Sequence, residues 1–170
     1  MKNIALLAAA TCAALALATT GIAADAISRE DKEFLKNAGE VGMLEVQLGT
    51  LAVEKATSPE LKALGARLVA DHTASNEELV AIAKAKGVEM TLEPTAVQKK
   101  MLADFRAKSG AEFDKELMEH VRKDHEKAIH TFADAAADSK DADIKAFAVK
   151  NVGVMKQHHT LAGGTDDHKH

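Results

Sequence analysis

SPELKALGARLVADHTASNEELVAIAKAKG, residues 58 to 87, decides the fold. Ser58 is placed to cap a helix, Pro59 fits the first helical position where no N–H is needed, and Glu60 sits in the positively polarised first turn. Gly87 marks the stop. Between these signals Leu61, Leu64 or Gly65, Leu68, His72, Ser75, Leu79 and Ile82 recur at steps of three and four, which predicts a helix with one buried face. A histidine stands in the middle of that buried line.

Working outward, the preceding segment repeats the pattern. Ser28 with Asp31 three residues on reads as a variant capping box, and a helix runs from there to about Ala56. Phe34, Ala38, Val41, Glu45, Leu48 and Ala52 are spaced four, three, four, three and four apart, a heptad seam with a carboxylate in its centre. After Gly87, Pro94 and the group Val97, Met101, Leu102, Phe105 predict a short amphipathic helix inside a long crossover. Ser109 with Glu112 reads as a capping box for a third long helix, with Phe113, Leu117, Val121, His125, Ala128, Phe132 and Ala135 inward and an end near Asp138. Asp141 or Asp143 caps the last helix. It carries Ile144, Phe147 or Ala148, Asn151, Val154 or Met155, His158 and Leu161 before Gly163 and Gly164 end it. Strand-like alternation is absent. The expected fold is all-α, an up-and-down four-helix bundle with a short extra helix in the crossover between the second and third long helices.

The flanks of this unit are of a different kind. Lys2 precedes an apolar run from Ile4 to Ala18 and small residues through Ala24, which reads as a secretory signal peptide over residues 1–24, cleaved between Ala23 and Ala26. The run is shorter than the roughly 20 residues a spanning helix needs. The bundle is expected over 25–164, with residues 165–170 as a polar, frayed tail. The one Cys, Cys12, lies in the leader and there is no Trp or Tyr, so the mature chain has no disulfide, thiolate metal site or c-type haem attachment. The 22 Lys and Arg, one of them Lys2, face 26 Asp and Glu, with signs interspersed. No basic stripe and almost no aromatic surface are present, which argues against nucleic acid as a partner.

Glu45, His72, His125 and His158 thus fall one per long helix on buried lines. At about 1.5 Å per residue, Glu45 lies roughly 18 Å before the turn near Thr57 and His72 about 20 Å after Pro59. His125 lies about 20 Å before Asp138, and His158 roughly 22 to 26 Å after the last turn. Four polar side chains at one height in an apolar interior need either a cation or one another. An ionised, unpaired carboxylate there costs several kcal/mol. A divalent ion held by three imidazoles and one carboxylate resolves the conflict, as does a dry polar network of the four groups. Zinc, copper(II), iron and manganese all suit these donors. Asp71 and Asp124, each just before a seam His, either orient imidazoles from outside the donor set or are solvated acids. His120 and His130 fall off the inner line and read as surface residues; His159 points elsewhere than His158. Because histidine ligands must be neutral, binding is expected to weaken as pH drops through about 6.

The stretches GMLEVQLGTLAVEKATSPELKALGARLVADHTASNEEL, SGAEFDKELMEHVRKDHEKAIHTF and KQHHTLA resemble the bacterial exported family called domain of unknown function 4142, over about Asp31 to Ala162. The shared order of motifs is the Glu after a Gly-containing turn of the first helix, two Asp-His pairs, and a His near the end of the last helix. Here these are Glu45, Asp71 with His72, Asp124 with His125, and His158. The resemblance implies a ferritin-like four-helix bundle in the periplasm or at the outer membrane, and no settled activity. The second His of the last motif, His159, departs from the family pattern. The residues three before His72, His125 and His158 are Val69, Arg122 and Met155, so the Glu-x-x-His pairs of di-iron bundles are missing. The expectation is a periplasmic protein binding one divalent ion, with a non-catalytic envelope or stress-associated module as the alternative. An oxidase or peroxide-handling enzyme would need a redox metal and an access channel.

Overall fold

A computed structural model describes residues 27–165. The expected signal peptide over residues 1–24 lies outside this range, as do residues 25–26 and 166–170. Five helices and no strands are found among the described residues: α1 Arg29–Lys55, α2 Pro59–Ala85, α3 Ala96–Ala107, α4 Gly110–Asp138 and α5 Ala142–Leu161. α1 packs along α2 and α4 along α5; α2 also meets α5, α1 meets α4, and α3 lies against α1.

The helix ends follow the local chemistry in most cases. Ser58 accepts from Leu61 N ahead of Pro59, Ser28 accepts from Asp31 N, and Asp141 accepts from Asp143 N and Ile144 N. Thr95 and Gln98 form a reciprocal capping box for α3. Ser109 behaves differently from expectation, since its side chain makes no cap bond. Gly110 beside it takes φ 62°, and Glu112 instead binds Lys108 Nζ at 2.8 Å. The two turns between long helices are tied down from elsewhere: Asp114 of α4 accepts from the backbone of Thr57 and Ser58, and Lys86 bridges to Asp141 and Asp143.

α1 and α2 approach closely at Gly49 and Gly65. A Cβ on Gly49 would stand 2.8 Å from Gly65 O, and one on Gly65 2.6 Å from Ala52 Cβ, so no side chain fits at either place. Nearby, Val41 is 38% exposed, although the heptad seam places it inward. Gly42 takes that place, with the Asn76 side chain laid over it. Val41 lines a small cavity with Gly42, His72 and Asn76, and this leaves it partly open to solvent. Leu161 is likewise turned out, while His159 is buried.

The core falls into two parts. One gathers Leu48, Leu51, Leu61, Leu68, Leu102, Phe105, Phe113, Leu117 and Val121. The other gathers Phe34, Leu35, Leu79, Ile129, Phe132, Ile144, Phe147 and Met155, with Phe34, Phe132 and Phe147 in mutual ring contact. On every long helix buried polar residues mark the boundary between the two, with Asn76 beside His72 on α2 and His159 beside His158 on α5. Glu45 follows Leu44 at the edge of the first part, His72 falls between Leu68 and Leu79, His125 between Val121 and Ile129, and His158 between Met155 and Ala162.

Candidate metal centre

His72, His125 and His158 come from α2, α4 and α5, and each is at most 3% exposed. One nitrogen from each ring lies within 4.8 Å of the other two. His125 Nε2 stands 3.4 Å from His72 Nε2 and 3.1 Å from His158 Nδ1. The rings are packed at centroid separations of 5.0 to 5.5 Å.

The outward nitrogens fix where the protons sit. His125 Nδ1 is 2.9 Å from Val121 O, a carbonyl that only accepts, so Nδ1 carries hydrogen and Nε2 of the neutral ring is bare. His158 Nε2 is 2.9 Å from Asp71 Oδ2 and donates to it, which leaves His158 Nδ1 bare. Two lone pairs therefore face each other across 3.1 Å. The reverse tautomer of His158 only moves the conflict to its contact with Asp71. Protonating a ring is resisted by the surroundings. Burial, then the neighbouring imidazoles, hold His72 well below its ordinary value. Burial, then His158, pushes His125 down to about 4, and His158 is lowered by burial although Asp71 partly opposes it. The expected onset of proton competition near pH 6 thus moves lower, because burial disfavours imidazolium.

Glu45 is 1% exposed and neither carboxylate oxygen has a hydrogen-bond partner. Burial, and then the charge of Asp124, pushes its carboxyl up to about 8. It lies outside the three-imidazole group. Gly42, one turn earlier on α1, lines a small cavity together with His72, Asn76 and Met155.

Asp71 is anchored on its far side. Arg67 Nε approaches Asp71 Oδ2 at 3.3 Å and Arg67 Nη2 binds Gln157 Oε1 at 2.7 Å, so the pair from α2 and α5 is held at the surface. Asp124 takes another direction. Its Oδ2 lies 3.2 Å from His120 Nε2 and its Oδ1 3.9 Å from Lys127 Nζ.

His120 corrects the surface assignment made for it. Its side chain is only 19% exposed and its ring lies 5.4 Å from Phe105. The crossover helix α3 covers it. The signal was the apolar pair Leu102 and Phe105, which had to be laid on something. His130 is exposed. His159 is buried against the terminal Gly164 and takes no place in the three-imidazole group.

No helix among the described residues is long and apolar enough to cross a membrane. A crystal structure of a DUF305 fragment from Deinococcus radiodurans is similar to this chain, with a TM-score of 0.69 and 10% identity over 81% of this chain and 95% of that one. At that identity the likeness speaks for a helical-bundle fold alone. No curated protein matches the sequence. Residues 16–164 match the model described as Domain of unknown function (DUF4142), and the chain belongs to that family.

Proposed function

We propose that this chain is an exported, periplasmic, ferritin-like four-helix bundle that holds a divalent transition-metal ion in its central layer through His72, His125 and His158, with Glu45 as the fourth donor. The observation that carries the reading is the pair of bare nitrogens, His125 Nε2 and His158 Nδ1, 3.1 Å apart in a buried site that resists protonation. A cation between them turns a repulsion into two bonds. Nitrogens bound tetrahedrally at 2.0–2.1 Å to one ion stand roughly 3.3 Å apart. The separations of 3.1 and 3.4 Å bracket that value.

Asp71 supports the same reading from outside, since a ligating imidazole that donates its other N–H to a carboxylate is oriented and made more basic. The unsatisfied carboxylate of Glu45 supplies an anionic oxygen and reduces the positive charge of the layer. Zinc, copper, iron and manganese all accept this donor set. Four protein donors suit a structural or storage site; catalysis would need an open position. The apolar leader supports export, with the outer membrane as a further address.

A second reading, a metal-free polar layer that fixes helix register, is favoured by the Asp71 contact, which can stabilise a proton shared between His158 and His125. Metal content separates the two. Untagged protein equilibrated with zinc and then desalted should retain metal, and single Ala replacements at His72, His125, His158 and Glu45 should each release it. Retention unchanged by all four replacements overturns the metal site, and a chelator that leaves the melting temperature of zinc-treated protein unmoved favours the proton-linked layer.

A further inference from the structure

The geometry points to a binding site for one water-sized hydrogen-bond acceptor in the small cavity beside His72, where an outside ligand meets the central layer. As an open position of that layer it rests on the metal reading; as a cavity with a buried donor it does not. Gly42, His72, Ser75 and Asn76 line the cavity together with the apolar Phe147 and Met155. His72 alone of the three layer imidazoles shares it, so a guest there lies against the layer.

The polar wall selects the guest. Asn76 is 6% exposed, and its Nδ2 is enclosed without a hydrogen-bond partner. An amide N–H buried in this way calls for an acceptor, because leaving it unpaired forfeits its hydration. The neighbouring polar groups are already engaged with one another. Ser75 Oγ donates to Asn151 Oδ1 at 2.9 Å, and Asn151 Nδ2 donates to Phe147 O at 2.8 Å. The Ser75 oxygen keeps acceptor capacity, so water suits the cavity as both acceptor and donor, and a small anion suits it as acceptor alone. Gly42 makes room for the arrangement, since a Cβ there would run into Asn76 Oδ1.

Size sets the limit. The cavity offers about 10 Å³ to the centre of a water-sized molecule, which is roughly the space of a single water. Val41, 38% exposed, also lines it and marks the way in from solvent.

Two measurements on untagged protein test the site. In chelator-treated, isotope-labelled wild type, the Asn76 side-chain amide should show a nuclear Overhauser cross-peak to water with the sign of a long-lived bound molecule. Gly42→Ala, which drives the Asn76 side chain into the cavity, should lose it. A wild type without that cross-peak, or a cross-peak that persists in Gly42→Ala, overturns the site whatever the metal does. In cobalt-loaded protein the fluorine resonance of added fluoride should broaden. Asn76→Leu, which keeps the shape and removes the donor, should weaken fluoride binding by about 3- to 10-fold, the worth of one hydrogen bond, with the cobalt absorption retained. Cobalt-loaded protein that leaves fluoride sharp, or binds it equally well in Asn76→Leu, overturns the open position. Protein that takes up no cobalt yet shows the water cross-peak overturns the metal reading and upholds the guest site.

Discussion

Replacing Glu45 with Gln should stabilise the metal-free protein, in a way that depends on pH. The ordinary carboxyl value of 4.5 is raised to about 8 in the fold, first by burial and then by Asp124. Above pH 4.5 the unfolded chain releases a proton that the folded chain keeps, so stability falls as pH rises and goes on falling until the folded group titrates. At pH 7 the solution stands about 2.5 pH units above the unfolded value; at about 1.4 kcal/mol each, the loss is between about 3 and 4 kcal/mol. Gln carries no such loss. It keeps the size and polarity of the protonated carboxyl, so the two proteins should be nearly equal at pH 4, and the variant should lead by about 3 to 4 kcal/mol at pH 7. Urea denaturation in the presence of a chelator, at several pH values, measures the gap directly. With saturating zinc the order should reverse, because the variant lacks an anionic donor. A metal-free variant no more stable than the wild type at pH 7, or a gap that does not move with pH, would refute the reasoning.

Acid should release bound metal later than ordinary histidine chemistry suggests. Burial depresses the imidazoles, so native rings stay neutral while unfolded ones charge below about 6.5, and the stability they contribute is lost as pH falls from there toward the folded value of about 4 for His125. Metal retention after dialysis should persist at pH 5.5 and collapse near pH 4; half-release at pH 6 or above would contradict it. Asp71→Asn, which removes the anionic acceptor from His158 Nε2 and the partner of Arg67, should weaken zinc affinity by about 10- to 100-fold in a competition titration with a chromophoric chelator. An unchanged affinity would mean that Asp71 only decorates the surface.

Much of this molecule is legible in its sequence because the polar layer interrupts apolar repeats that are otherwise regular. Leu68 and Leu79 bracket His72, and Val121 and Ile129 bracket His125, so the three imidazoles can be placed inward from spacing alone. Counting residues from the turns brings them to one height because the connections are short and well capped. Val41, Gly42 and Leu161 escape such counting, since whether a residue on the inner line is covered depends on what the facing helices place over it. His120 escapes for another reason. Its burial depends on where α3 comes to rest, and that is settled by long-range contacts such as Phe105 on the His120 ring and Lys55 donating to Arg106 O and Lys108 O. The direction of Asp71 toward His158 and of Asp124 toward His120 is equally out of reach of periodicity, because both precede a seam histidine identically in the chain.

Replacing the one imidazole whose Nε2 faces both others puts the central claim to the most direct test. Cobalt-loaded wild-type protein should show the intense visible absorption of a four-coordinate, nitrogen-ligated ion, and His125→Ala should lose it while remaining helical. An identical cobalt spectrum in the two proteins would contradict the account.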